Sequence, residues 1–142
     1  MAESSPIPTV LAIIVCDTVI QDAATQKRTL VGVFDRVQSP AVPFPINSLG
    51  LYAKLVEGSG TYNLRVRLVN LRDESPVVEI RVDAQWAKPD DPMELAFNFA
   101  GIPIAEFGTY EFQLYANDVF LGRALVRADK LQIPPLGLIR GN

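Results

Sequence analysis

Apolar and polar side chains alternate with a period of two along most of this chain, and no other feature constrains its fold as strongly. Such alternation commits a segment to an extended strand with one buried and one wet face. The clearest run spans residues 62–70, where Tyr62, Leu64, Val66 and Leu68 alternate with Asn63, Arg65 and Arg67. Residues 78–86 repeat it and place Val78, Ile80, Val82, Ala84 and Trp86 inward; residues 93–99 and 110–114 repeat it again. Four further apolar runs, 10–16, 30–34, 49–56 and 119–126, are rich in the β-branched residues that sheets favour. Turn chemistry fills the gaps: Gly58-Ser59-Gly60, read as a hairpin, then Asp73-Glu74-Ser75-Pro76, the proline-bounded stretch 88–92, and the two-residue turn Asn117-Asp118.

Helices have little room. No window repeats apolar residues at three and four positions, and eleven prolines and nine glycines punctuate the chain. Only residues 21–26 and 104–107 leave space for a single helical turn. About eight short strands with regular turn signals predict an all-β protein, a single antiparallel β-sandwich. Strands with one polar face, and no crossover helices, exclude a parallel α/β sheet.

At 142 residues the chain makes one domain. Its expected organisation is an N-terminal arm at 1–8, a sandwich at 9–128 and a C-terminal arm at 129–142. Pro40, Pro43 and Pro45 hold residues 39–45 extended, as a connection crossing between sheets. The C-terminal arm is apolar where a solvated tail is polar, through Leu131, Ile133, Leu136, Leu138 and Ile139. Its prolines bar it from a helix or a central strand, so these five residues are the candidate interface, docking in extended form on their own domain or on another copy.

The chain contains no histidine, the usual general base and metal ligand near neutral pH. Ser-His-Asp and Cys-His nucleophile systems and histidine-ligated zinc sites therefore cannot be assembled. Thirteen basic against sixteen acidic residues give a net charge of -3 with no basic stripe, which argues against nucleic acid as a partner. The apolar run 10–16 falls far short of the ~20 residues that span a bilayer, so neither membrane insertion nor a signal peptide is expected. A single cysteine, Cys16, excludes an internal disulfide and fits a reducing compartment, hence a cytoplasmic protein.

Each candidate site has a plainer alternative. Asp17, Asp22 and Asp35 offer oxygen ligands for calcium but lack the order of a known calcium loop; pairing with Lys27, Arg28 or Arg36 is favoured. Asp90, Asp91 and Glu94 resemble a glycosidase carboxylate set only in composition, without a cleft, and read as a solvated loop. Cys16 reads as a small buried hydrophobe rather than a nucleophile. Trp86, Tyr52, Tyr62 and Tyr115 could stack on a sugar, but the inward parity of Trp86 favours core packing. The Gly58 turn lacks the features of a phosphate loop. No catalytic, cofactor-binding or metal-ligating residue is assigned.

Cys16-Asp17, then Thr25-Gln26-Lys27, then Gly32-Val33-Phe34-Asp35, and late in the chain Gly108-Thr109-Tyr110, resemble the motifs of an uncharacterised bacterial family catalogued as a domain of unknown function. That family has a Cys-Asp strand, a Thr-Gly-Lys turn and a Gly-x-Phe-Asp strand; Gln26 stands where it has glycine. The resemblance implies a bacterial β-sandwich and no activity. The stretch from Gly108 to Phe112 is also similar to the tyrosine-bearing late strand of immunoglobulin-like sandwiches, a folding feature. The expectation is a non-enzymatic structural or protein-interaction module whose partner is protein, including copies of itself. The alternative is a sandwich that binds a small ligand or carbohydrate, which aromatics on an outer face would mark; an enzyme would show a pocket with several ionisable groups.

Overall fold

The structure, a computed structural model, describes residues 5–132. Among these, nine strands and no helix are formed: β1 (Thr9–Gln21), β2 (Arg28–Val33), β3 (Arg36–Ser39), β4 (Phe44–Val56), β5 (Gly60–Asn70), β6 (Ser75–Trp86), β7 (Met93–Ile104), β8 (Gly108–Ala116) and β9 (Val119–Lys130). They build a four-stranded sheet, order β2-β1-β4-β7, facing a five-stranded sheet, order β3-β9-β8-β5-β6. All eight expected strands are present. The ninth, β3, is too short to show a period, and it brings the one parallel pair among the described residues, Arg36↔Arg127 through Ser39↔Lys130. The expected antiparallel sandwich stands, with this one short parallel pairing added because the chain enters β3 in the direction in which β9 later leaves.

Alternation dictates what each strand buries. β5 and β8 send Tyr62, Leu64, Val66, Leu68, Phe112 and Leu114 into the core, where β4 meets them with Leu49, Leu51, Ala53 and Leu55. Phe99 of β7 stacks on Phe112 at 5.8 Å between ring centroids, tying the sheets together. At the β6 edge the layers part: Val82 has the expected inward parity yet keeps 40% of its surface exposed. The five-stranded sheet ends there with β6.

Turn chemistry sorts by position. Asn117 and Asp118 both take positive φ, 49° and 66°, the mirror-image turn that matches strand twist in a two-residue hairpin. The Gly58 turn is not a hairpin. It carries the chain from β4 in one sheet to β5 in the other, with Gly58 packed on the Trp86 indole where no side chain fits. Residues 40–43 likewise cross between sheets, as their prolines lead one to expect. The C-terminal boundary moves: Asp129 and Lys130 belong to β9, because β3 offers them ladder partners. Of the N-terminal arm, Ser5 to Pro8 is described, and the Pro6 carbonyl accepts the Tyr62 hydroxyl at 2.5 Å.

Candidate functional site

The segments carrying the Cys-Asp and Gly-x-Phe-Asp motifs meet in space. β1 pairs with β4 only as far as Cys16↔Gly50. It then passes over Gly50, so closely that a Cβ there would lie 3.0 Å from the Val19 nitrogen and 3.1 Å from the Cys16 sulfur. Asn98 of β7 reaches across the glycine and takes over the lost ladder: its Oδ1 accepts the Val19 N–H at 3.0 Å and its Nδ2 donates to the Val19 carbonyl at 3.2 Å. The second half of β1 and β2 thus form a hairpin laid on the outer face of the four-stranded sheet. Its far end is clasped by Arg28, 3.1 Å from Glu94, whose other oxygen accepts the Tyr52 hydroxyl. Burial, then the hydrogen bond to Glu94, push the Tyr52 phenol up to about 12.

Motif residues explain themselves in this setting. Cys16 is fully buried, with its thiol directed at the Thr18 and Gly50 carbonyls, and burial raises its pKa. A protonated, enclosed thiol is a small core side chain, not a nucleophile. Gly32 takes φ 68° against the Asp17 side chain, so the Cys-Asp and Gly-x-Phe-Asp motifs are two halves of one contact. Gln26 adopts φ 64° in the place of the family's glycine, held by the Asp22 carbonyl accepting its N–H at 2.8 Å.

The carboxylate sets do not assemble as such. Asp22 Oδ1 caps its own turn, accepting the Ala24 and Thr25 amides at 2.8 and 3.0 Å, and those bonds lower its pKa. The expected pairing of Asp17, Asp22 and Asp35 with neighbouring cations is also corrected: Arg28 turns to Glu94, and Arg36 to Asp129 at 3.0 Å. Among the described residues no three histidine, cysteine or acidic side chains come together in a way that could hold a metal ion. Asp91 holds Trp86 through its carbonyl, which accepts the indole N–H at 2.9 Å, while Glu94 belongs to the clasp. The four aromatics separate too: Trp86 and Tyr62 meet edge to face in the core, and Tyr52 and Tyr115 lie on opposite outer faces.

Two clefts remain. One, about 350 Å³, lies beside Tyr110, Asn70, Arg72 and Glu106. Tyr110 donates to the Glu106 carbonyl four residues upstream at 2.7 Å, while Asn70 and Arg72 grip the Glu106 carboxylate at 2.7 and 2.6 Å. Those groups satisfy one another, and the arrangement is a brace. The other cleft, about 370 Å³, opens between the sheets and is lined by Ile13, Ile14, Val15, Val33, Phe34, Asp35, Ala124 and Leu125. Pairing of β2 with β1 begins only at Cys16, with the Phe34 amide on the Val15 carbonyl, so among the described residues the side of 9–14 turned away from β4 has no strand partner. β3 covers β9 only from Arg127, so among the described residues the edge of 119–126 is likewise without a strand partner. Val33 and Leu125 line the gap and are 64 and 48% exposed, and Leu11, the extra residue of a bulge in the same β1 edge, is 60% exposed.

Sequence reasoning missed this edge. Its signal was the charge-free run 9–16, which carries no lysine or internal proline to discourage pairing. Of the expected interface, Leu131 is 40% exposed and its N–H is fixed to the Ser39 carbonyl at 2.8 Å. Ile133, Leu136, Leu138 and Ile139 lie outside the described residues.

The order β2-β1-β4-β7 against β3-β9-β8-β5-β6, with the short early strand β3 parallel to the last strand β9, is the arrangement of an immunoglobulin-like sandwich. Tyr110, at the start of the penultimate strand and bonded back to Glu106, supplies the tyrosine corner of that class. Within the class, residues 11–128 match the Family of unknown function (DUF6941), and the chain belongs to it. No curated protein matches the chain. Among solved structures it is similar to a β-glucosidase from Listeria innocua, 11% identical over 68% of this chain and 15% of that one, TM-score 0.43. It is also similar to an immunoglobulin-like protein from Pseudomonas aeruginosa, 13% identical over 87% of this chain and 97% of that one, TM-score 0.41.

Proposed function

We propose that the protein is a non-enzymatic interaction module of a reducing, cytoplasmic compartment that pairs with other copies of itself through the β1 and β9 edges. The observation that carries this reading is the cleft between those edges, where, among the described residues, backbone without a strand partner lies beside the exposed side chains of Val33 and Leu125, with Leu11 exposed on the same β1 edge. Unpaired strand edges template the addition of another strand, and apolar side chains beside them supply the burial that makes such pairing durable. The apolar stretch 131–139 of a second copy is the proposed partner segment. The buried free thiol of Cys16 supports the compartment.

Light scattering on the full chain tests it. A dimer or larger assembly that dissociates when Leu11→Lys and Val33→Lys are introduced is the expected result, since both positions are exposed and tolerate charge in the folded domain. Deleting residues 134–142 should dissociate it as well. A wild-type chain that stays monomeric at high concentration overturns the reading.

A further inference from the structure

The outer face of the five-stranded sheet carries a second feature, independent of the β1 and β9 edges. Register places Arg81, Arg65, Tyr115 and Phe120 in one row across four strands, with Arg67 in the next row between Glu79 and Gln113. Arg65 stacks on the Tyr115 ring, 4.2 Å from its centroid, and Tyr115 meets Phe120 edge to face at 5.6 Å. Phe120 is 49% exposed. The row is therefore an apolar corner, two rings at 69° to each other bordered by guanidinium groups, an outer-face aromatic pair of the kind that marks a ligand-binding sandwich.

The cations here exceed what the protein itself satisfies. Glu79 is shared by Arg65 at 3.7 Å and Arg81 at 3.9 Å, and Glu111 is engaged by Arg123 at 3.6 Å. Arg67 forms no ion pair among the described residues. The Nε atoms of Arg65 and Arg67, adjacent on the same face of β5, are the two buried side-chain polar atoms there that lack any hydrogen-bond partner. Unmade bonds of this kind are costly, and an incoming acceptor that turns the guanidinium forks toward itself recovers them. A carboxylate suits a planar fork geometrically. A doubly charged anion suits the face poorly, because Glu79, Glu111 and Asp83 stand around the same arginines.

We propose that this face is a binding site for an aromatic carboxylate, its charge held by Arg65 and Arg67 and its ring laid on Tyr115 and Phe120. The test titrates the full nitrogen-labelled chain with benzoate, inorganic phosphate and benzyl alcohol, reading the side-chain Nε–H signals of Arg65 and Arg67 by nuclear magnetic resonance. Benzoate should move both signals saturably, and binding should weaken ~10-fold or more in R67Q, as expected for a lost charged hydrogen bond. Backbone amide spectra report whether R67Q folds, and F120S, at an exposed position, removes the aromatic corner instead and should also weaken benzoate. Equal response to phosphate would show a plain anion site, equal response to benzyl alcohol a plain apolar patch, and no saturable shift an empty face; each overturns the proposal.

Discussion

Gly32 shows how a family motif becomes a physical requirement. Its φ of 68° lies in the left-handed region, and any Cβ would run into the Asp17 side chain. Both strain and overlap should act in Gly32→Ala, lowering stability by ~1–3 kcal/mol. Urea unfolding measures this, and an unchanged midpoint would show that the contact carries no energy. Gln26, with φ 64°, tolerates the same backbone region because its side chain is exposed in an open turn. Cys16 teaches the opposite lesson: its parity alone puts it on the outer face, and only the strand passing above it makes it a core residue.

The element that distinguishes this sandwich is the β1–β2 hairpin laid over β4 and β7. Asn98 holds it by the Val19 backbone, and Asn98→Ala would leave a part-buried N–H and carbonyl without partners, a loss of ~1–3 kcal/mol. Amide hydrogen exchange should then accelerate locally, at Val19 and its β2 partners, before the rest of the domain opens. The clasp at the other end has its own signature. With the Tyr52 phenol raised to about 12, its protonated form favours the folded state, so that contribution is whole below pH 10 and is lost as pH climbs through 12. A tyrosinate absorbance titration should lose a late-titrating group in Tyr52→Phe. If the late group persists, the clasp has been misassigned.

For the whole molecule, acid is the revealing stress. Arg72 and Asn70 hold the Glu106 carboxyl below its ordinary 4.5, and the Ser75 bonds lower Asp73. Depressed carboxylates stabilise the fold above their unfolded values and cease to do so as pH falls through their folded ones. Thermal midpoints should therefore hold to about pH 5 and decline below 4.5, less steeply in Glu106→Gln. Equal slopes would mean that the brace around Tyr110 does not couple to folding.

Alternation in residues 62–70, 78–86 and 110–114 made the strands, the sandwich and the inward places of Tyr62, Trp86 and Phe112 legible from sequence, because a period of two is a local property of the chain. The tyrosine-bearing strand was legible only through its resemblance to immunoglobulin-like sandwiches, and the bond from Tyr110 to the Glu106 carbonyl came from the structure. What no local pattern contains is where a ladder stops. Whether Val82 is covered, which carboxylate Arg28 finds, that β1 leaves β4 at Gly50, and that residues 9–14 have no second strand partner among the described residues all depend on strands remote in sequence. Backbone hydrogen bonding chooses those neighbours through space, so the candidate site, built at the edges and across the rows of the sheets, was decided by the tertiary structure alone.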